Sequence, residues 1–416
     1  MSRKARPHES ASTNPLLPKQ FADMPETPFF LIDLAKLRAN LEILARVKEE
    51  AGCRIVHALK AFSLPQSFPL IAEYLDGTCA SGLWEARLAH EDFPGSDKAI
   101  LTCSPAYRDD EIAPLLDWST QLDFNSPGQW RRYREQCLAH PRHLAGELHF
   151  GLRLNPMCST GHTEKYDPCA PGSRLGIPPG ALSPEDLHGI TGLHFHTLCE
   201  QGAEDLEKTL DALDQHFGQL LRLPQITSLN LGGGHWITKP DYNRPLLIRL
   251  LRETKERYQL DEIWLEPGEA SAIHTGELHA SVLDLLENSG IQNALLDVSA
   301  TAHMPDVLEM PYRPDVRLDS TDSDPVHSEL PAPPSAFPYR LGGPTCLSGD
   351  VIGDFSFPRP LRLGDRLIFD DMAHYTLVKT TTFNGVRHPA IVLKHEDDQL
   401  ETVREFTYAD FRTKLG

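Results

Sequence analysis

Eight short apolar segments, each ending abruptly in polar residues or glycine, recur along the chain and constrain its fold more than any other feature. They read CRIVHALK, GTCAS, AILTCS, QLDFNS, LHFGLRLN, GLHFHTL, SLNLGGG and EIWLEPG. Apolar residues at helical spacing fill most of the intervals, for example from Ala203 to Leu223 and from Tyr242 to Tyr258. Near-continuous apolar strands that alternate with helices are typical of a parallel sheet covered on its outside. Eight such units predict an α/β protein with a (β/α)8 TIM-type barrel.

The remainder of the chain follows a different pattern. We expect the barrel to span residues 35–276, because strand-like alternation without crossover helices begins after Glu277. This change predicts a mainly antiparallel β-domain made of residues 27–34 and 277–416. The acidic, proline-rich stretch 315–338 is expected to be a long surface loop of that domain. Residues 1–25 lack a hydrophobic period and are expected to be a disordered arm.

Charge and cysteine content exclude several classes of function. The net charge is −19, with 59 acidic against 40 basic residues, which argues against nucleic acid as a partner and fits clefts that attract cations. No segment reaches the roughly 20 apolar residues of a membrane span. The eight cysteines include no C-x-x-C motif, so we interpret them as reduced thiols without a zinc knuckle. A cytoplasmic protein that binds no membrane and no metal is expected.

Three strand ends carry residues that suit one cofactor. Lys60 ends the first apolar segment, where desolvation would favour a nucleophilic amine, although a solvated lysine is the commoner case. Gly232 to Gly234 end the seventh and could expose N–H groups to a phosphate, or could form only a tight turn. Glu266 ends the eighth and could partner a protonated pyridine nitrogen or form a structural ion pair.

The H-x-H pair of the sixth segment supports two different hypotheses. His194 and His196 should face the same way, because the side-chain period of a strand is two. Two imidazoles on one face are also how a metal-dependent barrel hydrolase begins its metal site. The later strand ends carry Gly232 to Gly234 and Glu266 rather than further ligands. An imidazole stacked on a cofactor ring explains His196 more completely, and His194 would then be a core residue.

Longer motifs resemble a known family. HALKAF, CASGLWE, GLRLNP, GLHFHTLCE, LNLGGGHW, LEPGEA, GPTCLSGD and FDDMAHYT together are similar to motifs of the fold type III, alanine racemase-like decarboxylases that use pyridoxal 5′-phosphate (PLP). The similarity extends from about Thr27 to Thr413. It is strongest to the branch that decarboxylates carboxynorspermidine and carboxyspermidine in polyamine and spermidine biosynthesis. The resemblance therefore implies a PLP-dependent carboxy-lyase.

The resemblance also implies roles for individual residues. Lys60 would be the Schiff-base lysine, His196 would stack on the ring, and Glu266 would pair with the pyridine nitrogen. The phosphate would be bound by Gly232, Gly233, Gly234 and Tyr375, with Arg153 near the cofactor.

A further motif implies a shared active site. Cys346 in GPTC matches a residue that relatives contribute from the neighbouring subunit and that can reprotonate the substrate carbon. Asp350 would lie at the same shared site. The resemblance therefore implies a homodimer, and the retention of Lys60 and Cys346 argues against a non-catalytic binding homologue.

Departures from the family indicate the substrate. Glu269 stands where many relatives have arginine, and Cys199 where many have serine near the phosphate. Glu309 aligns with an arginine that binds the distal carboxylate in diaminopimelate decarboxylases. Together with Asp306 it would repel such a carboxylate and attract an amine. A carboxylated polyamine is therefore preferred over diaminopimelate or another basic amino acid, unless both acids are merely solvated loop residues. Glu269, Asp306, Glu309 and Asp350 are the predicted substrate-binding residues.

Overall fold

The computed structural model describes residues 24–161, 164–310, 312–319 and 336–416. Most of the predicted N-terminal arm, residues 1–23, lies outside these ranges. The end of the predicted arm that is described is attached to the fold. Met24 packs against Phe29, Leu31 and Val392, and Nη2 of Arg366 donates to the carbonyl oxygen of Pro25 at 3.1 Å. The arm was therefore predicted too long at its C-terminal end, where a single apolar side chain gives no periodic signal.

The described residues form strands, helices and short 3-10 turns, and strands alternate with helices mainly in the barrel. The strands are β1 (Phe29–Asp33), β2 (Arg54–Ile55), β3 (His57–Ala58), β4 (Gly77–Ala80), β5 (Ala99–Ser104), β6 (Gln121–Phe124), β7 (His149–Arg153), β8 (Gly192–His194), β9 (Ser228–Asn230), β10 (Glu262–Leu265), β11 (Gly276–Asn288), β12 (Ile291–Leu296), β13 (Val316–Leu318), β14 (Phe337–Gly342), β15 (Val351–Phe357), β16 (Arg366–Asp370), β17 (Ala390–Lys394) and β18 (Leu400–Arg404). The helices are α1 (Leu34–Ala51), α2 (Phe68–Tyr74), α3 (Leu83–Asp92), α4 (Asp109–Trp118), α5 (Pro127–Leu138), α6 (Pro141–Leu144), α7 (Ala203–Leu221), α8 (Arg244–Tyr258), α9 (Glu269–Ala272), α10 (Ala300–His303), α11 (Asp306–Glu309), α12 (Thr376–Lys379) and α13 (Tyr408–Leu415). The 3-10 turns are Pro65–Ser67, Glu164–Tyr166, Pro184–Leu187 and Phe383–Gly385.

The eight apolar segments form a closed parallel barrel, as predicted. Their strands follow the order β2-β10-β9-β8-β7-β6-β5-β4-β3. Strands β2 and β3 are two halves of the first segment, separated by Val56. The first half pairs with β10 and the second with β4, so that this one segment closes the ring. All carboxyl ends of the barrel strands therefore meet at one mouth.

Helices cover the outside of the barrel through one apolar face each. In α1 this face consists of Leu37, Leu41, Leu44 and Val47. The side chain of Asp33 accepts from the N–H of Lys36 and caps the start of α1. None of the helices in the described ranges is both long enough and apolar enough to cross a bilayer.

A second, mixed sheet is built from the chain on either side of the barrel. Its order is β15-β14-β12-β11-β1-β17-β18, and β16 pairs with both β11 and β13. Most pairings are antiparallel, as predicted, but β1 with β17 and β12 with β14 are parallel. Phe30, Leu278, Phe355 and Phe369 belong to the core of this sheet.

The loop predicted for residues 315–338 is shorter than expected. Val316–Leu318 pairs with β16, and Phe337–Gly342 pairs with β12 and β15. Residues 320–335, the centre of the predicted loop, lie outside the described residues. The first strand was missed because it is only three residues long, with Val316 and Leu318 buried on either side of an exposed arginine and acidic residues on both flanks.

The second sheet contacts the barrel mouth directly. Two bonds lie within the sheet, beside β11: the N–H of Asp33 donates to the carbonyl of Thr275 and that of Met372 to Gly276, both at 2.8 Å. The N–H of Tyr375 donates to the carbonyl of Ala61 at 2.7 Å. This last bond joins the segment after β16 to the residue that follows Lys60.

The aromatic layer between β6 and α5 should be a main source of barrel stability. Phe124 is fully buried, and its ring lies 5.2 Å from that of Trp130 and 5.7 Å from that of Tyr107. We expect Phe124→Ala to cost about 3–5 kcal/mol of unfolding free energy, since it leaves a cavity. Urea titration followed by circular dichroism measures this loss. Leu144→Ala, at a site 74% exposed, is the control and should change stability by less than about 0.5 kcal/mol.

Candidate active site

Residues from several strand ends meet at the barrel mouth. Arg153 is the last residue of β7, Lys60 and His196 lie two residues beyond β3 and β8, and Glu266 directly follows β10. Nζ of Lys60 is 3.3 Å from Nε2 of His196, and Nη2 of Arg153 donates to the carbonyl of His196 at 3.3 Å. The structure thus brings these predicted residues into one cluster.

His196 is held as a neutral imidazole. The N–H of Gly233 donates to Nδ1 at 2.9 Å, which leaves the proton of the neutral ring on Nε2. Burial, together with the charges of Lys60 and Arg153, keeps the pKa of His196 well below its usual range. An uncharged, oriented ring is suited to stacking against a flat ligand.

Glu266 lies above a buried chain of charged groups. Its Oε1 accepts from Nδ2 of Asn230 at 2.6 Å, and its Oε2 is 3.6 Å from Nε2 of His194. Nδ1 of His194 is in turn 3.3 Å from Oδ2 of Asp123. Burial alone would lower the pKa of His194, but the Glu266 carboxylate, the Cys103 sulfur and the Asp123 carboxylate outweigh it and raise the pKa to about 10. His194 is therefore a buried cation and not an ordinary core residue.

The glycines after β9 are required by the protein backbone itself. A Cβ on Gly234 would lie 1.9 Å from the carbonyl oxygen of Leu198, and one on Gly233 would lie 2.3 Å from that of Glu266. The N–H of Gly232 donates to Oδ1 of Asn230, and that of Gly233 to His196. Within the described ranges, Gly234 is the member of this run whose N–H has no protein acceptor. The phosphate-binding role of these glycines stays a prediction, with Gly234 best placed for it.

A carboxyl group with a raised pKa lies beside these residues. Oε1 of Glu269 accepts from Nε1 of Trp236 at 2.8 Å and is 3.8 Å from Nε2 of His374. Burial, reinforced by the nearby charge of Glu200, raises the pKa of Glu269 to about 7. Glu269 also raises the pKa of Tyr375, for which burial is the main cause. Glu269 and Tyr375 therefore line the same part of the mouth.

Cys199 belongs to the same region. Burial, with the charge of Glu200 next in importance, raises the pKa of its thiol to about 11. The thiol is therefore uncharged at neutral pH and would offer at most a weak hydrogen bond to a phosphate, where many relatives have serine.

Asp306 and Glu309 form a cation site at the rim. Nζ of Lys379 lies 2.6 Å from Oδ1 of Asp306 and 3.0 Å from Oε2 of Glu309. Nζ of Lys165 donates to the backbone carbonyl of Glu309 at 3.0 Å. The charge of Asp306 also acts on Cys199 and Tyr375. The two acids are therefore not merely solvated, since each contacts an ammonium group.

Cys346 and Asp350 lie apart from this cluster. Cys346 is exposed, and its N–H donates to Oδ1 of Asn384 at 2.8 Å. Asp350 is buried and accepts from Ser299 at both carboxylate oxygens and from the hydroxyl of Thr345. Asp350 thus fixes the loop that carries Cys346. The roles predicted for both residues at a shared site stay predictions.

Several residues of the site escaped the sequence reasoning. Asp123 and Asn230 are polar residues inside apolar strands, which was a usable signal. Glu85 in CASGLWE was also overlooked. Burial raises its pKa, and the charge of Lys60 opposes that rise. Lys379 gave no signal in the sequence.

The metal-hydrolase hypothesis receives no support from the H-x-H pair. In the described part of the chain, one group of side chains lies close enough to share a metal ion, namely Cys103, Asp123 and His194. His196 is not a member. His194 instead faces a carboxylate on each side.

Comparison with known proteins identifies the family. Residues 29–373 match the family model described as pyridoxal-dependent decarboxylase, C-terminal sheet domain. The chain belongs to the pyridoxal-dependent decarboxylases. It is 44% identical to a carboxyaminopropylagmatine decarboxylase from Synechocystis, over 94% of this chain and 95% of the relative. It is 40% identical to a carboxynorspermidine/carboxyspermidine decarboxylase from Campylobacter jejuni, over 94% and 99%.

A solved structure is similar along the same length. The crystal structure of carboxynorspermidine decarboxylase from Campylobacter jejuni, complexed with norspermidine, superposes with a TM-score of 0.82 at 39% identity. The match covers 94% of this chain and 100% of that one. The protein is therefore a PLP-dependent decarboxylase with the fold of its relatives.

The decarboxylase carries groups that fit its cofactor. The buried carboxylate of Asp123 and the partly buried carboxylate of Glu266 share one cation, His194, so a second positive group beside Glu266 would balance the charge. A protonated pyridine nitrogen is such a group. Lys60 would hold the aldehyde end and the N–H of Gly234 would face the phosphate. When bound, PLP supplies the electron sink that accepts the electrons left by a departing carboxylate.

The buried Glu269 predicts a pH dependence of stability. Its pKa is about 7 in the folded protein against 4.5 for the ordinary group. Between these values the folded state binds the extra proton, so stability should fall as pH rises from about 4.5 to 7, by up to about 3 kcal/mol. Relative to wild type, Glu269→Gln should therefore become progressively more stable over this interval in urea titrations. A constant difference across pH would contradict the prediction, and Glu49→Gln on the exposed face of α1 is the control.

Proposed function

We propose that this decarboxylase converts carboxynorspermidine and carboxyspermidine to norspermidine and spermidine. The Campylobacter relative named for these substrates supports the proposal, as does a second relative of that name from Herminiimonas arsenicoxydans, 34% identical over 94% of this chain. The Campylobacter structure, similar along its whole length, is a complex with norspermidine.

The observation that carries the proposal is the acidic pair at the rim. Asp306 and Glu309 already hold the ammonium group of Lys379, so they form a site with the geometry and charge for an amine. A distal ammonium of the substrate would bind there, whereas the distal carboxylate of diaminopimelate would be repelled. The nearby carboxylate of Glu200, and that of Glu269 once it is ionised, would favour a substrate with more than one positive group.

The remaining roles follow from the position of each side chain. Lys60 would bind the cofactor and release it to the amine of the substrate, and Glu266 would keep the ring nitrogen protonated. His196 would support the ring, and Tyr375 and Gly234 would contact the phosphate. The guanidinium of Arg153 fixes the backbone of His196 and would keep the imidazole in place.

A guanidine-tailed substrate is the second candidate. The Synechocystis relative is named for carboxyaminopropylagmatine, and a guanidinium could bind two carboxylates at once, as Asp306 and Glu309 would allow. Carboxynorspermidine, carboxyspermidine and carboxyaminopropylagmatine share the carboxylated aminopropyl end. They differ at the distal group, which is an amine in the first two and a guanidine in the third.

A substrate panel should rank these candidates. We expect kcat/KM to be highest for carboxynorspermidine or carboxyspermidine, lower for carboxyaminopropylagmatine, and lower than either by at least about a hundredfold, or about 2.7 kcal/mol, for diaminopimelate. Carbon dioxide release with each purified substrate measures the order. Turnover of diaminopimelate in preference to the triamines would overturn the proposal.

Variants of the rim locate the selectivity. Glu309→Gln should raise KM for the triamine about three- to tenfold with little change in kcat, because its charge acts in substrate binding. Lys379→Met should lower KM, because it removes the competing ammonium. Lys165→Met is the matched control, because Lys165 contacts the backbone of Glu309 and not its carboxylate.

We propose that the enzyme is a homodimer in which Cys346 completes the active site of the neighbouring subunit. Support comes from the exposure of Cys346 and of Leu347 beside it on a loop that Asp350 holds firmly. There the thiol would give a proton to the substrate carbon after carbon dioxide leaves. We propose the cytoplasm as its compartment, because all eight cysteines are free thiols.

Mixing two inactive variants tests the shared site. Lys60→Ala and Cys346→Ala should each be nearly inactive alone. After co-refolding in equal amounts, half of the dimers should be mixed and carry one intact site, so about a quarter of wild-type activity should return. No recovery, with dimers present by light scattering, would show that both residues act within one subunit.

A further inference from the structure

Three charged side chains, the first of which is Glu266, form a line from the barrel mouth into the barrel. Asp123 comes from β6, His194 from β8 and Glu266 from the end of β10, and each nitrogen of His194 faces a different carboxylate. These are alternate strands, and alternate strands of a TIM barrel contribute side chains to one layer. Asp123 and His194 are 1% and 2% exposed. We refer to Asp123 and His194 as the inner pair.

The barrel backbone makes room for the inner pair. A Cβ on Gly151 would lie 2.1 Å from Oδ1 of Asp123, and one on Gly192 would lie 3.1 Å from Nε2 of Gln121. That nitrogen of Gln121 donates to Oδ1 of Asp123 at 2.8 Å. Asp123 is therefore fixed by an amide at one oxygen and faces His194 with the other.

The same arrangement is repeated at Glu266. Its Oε1 is fixed by the amide of Asn230, and its Oε2 faces His194. A carboxylate oxygen has two acceptor positions, so Glu266 keeps acceptor capacity for a ligand. Enclosing a charge without a partner is unfavourable, and the positive charge of His194 offsets this cost for Glu266. The groups that face His194 are Glu266, Asp123, Cys103 and the neutral ring of His196.

We propose that Asp123 and His194 are positioning residues that keep Glu266 charged and directed at the ring nitrogen of the cofactor. This inference rests on the proposed role of Glu266. The Asp123 carboxylate stabilises the imidazolium, and the imidazolium stabilises the Glu266 carboxylate. Glu266 can then accept a hydrogen bond from a protonated ring nitrogen and cannot donate one to a neutral nitrogen. The inner pair acts on the cofactor without touching it.

Binding of two cofactors by the full-length apoprotein tests this inference. One is PLP and the other is its 1-deaza analogue, in which a carbon replaces the ring nitrogen. Wild type should bind PLP more tightly. Asp123→Asn keeps the shape of Asp123 but removes its charge, and should reduce this preference about tenfold, which is about 1.4 kcal/mol of coupling to the ring nitrogen. The binding of the analogue itself should change little.

The possible results distinguish the role of the inner pair from the proposed role of Glu266. If the preference for PLP over its 1-deaza analogue were unchanged in Asp123→Asn but lost in Glu266→Gln, the role of the inner pair would be overturned and that of Glu266 would stand. A preference absent from wild type would refute the role of Glu266 as well. Equal weakening of both cofactors would mean that the inner pair is only structural. Thr102→Val, which removes a buried hydrogen bond to Ser119 in the turn between α4 and β6, gives the effect of general destabilisation.

If Asp123→Asn does not fold, a second variant tests the same inference. His194→Gln removes the cation from the other side and should reduce the preference for PLP by at least as much. The visible absorbance of bound PLP should also change with pH differently from wild type in both variants, because the charge on Glu266 is altered. An absorbance profile like that of wild type in either folded variant would overturn the inference.

Discussion

Closure of the barrel through a single split strand is the constraint on which the rest of the structure depends. Residues 54–58 pair with β10 through their first half and with β4 through their second. This double pairing brings the end of the first strand next to the end of the last one. Lys60 and Glu266, which lie far apart in the sequence, therefore face the same mouth. The bond from Tyr375 to Ala61 then attaches the second sheet at the same place.

Two carboxylates around one cation is an arrangement that occurs twice at this mouth. Asp123 and Glu266 share the imidazolium of His194, and Asp306 and Glu309 share the ammonium of Lys379. In both places the two carboxylates carry one more negative charge than the shared cation neutralises. The first excess suits a protonated pyridine ring and the second an amine. The charge pattern thus matches both the cofactor of the family and a substrate with a positive tail.

Strand and helix order could be predicted from the sequence because both depend on local apolar periodicity. Lys60, His196 and Glu266 could be placed at one mouth because the carboxyl ends of parallel strands coincide. The partnership of Asp123 with His194 could not, because it depends on which alternate strands face each other after closure. The strand Val316–Leu318 was missed because three residues show too little alternation to outweigh their acidic flanks.

The glycines after β9 have a structural role that their sequence pattern did not indicate. The run of glycines suggested a phosphate-binding loop. Because glycine has no Cβ, however, the loop can also pass close to the carbonyl oxygens of Leu198 and Glu266. Two of their N–H groups are used by Asn230 and His196. One of these bonds sets the protonation of the imidazole that lies against Lys60. The glycine turn therefore orients His196 and supports Glu266, so that any effect of a glycine substitution on phosphate binding would be accompanied by a change at both residues.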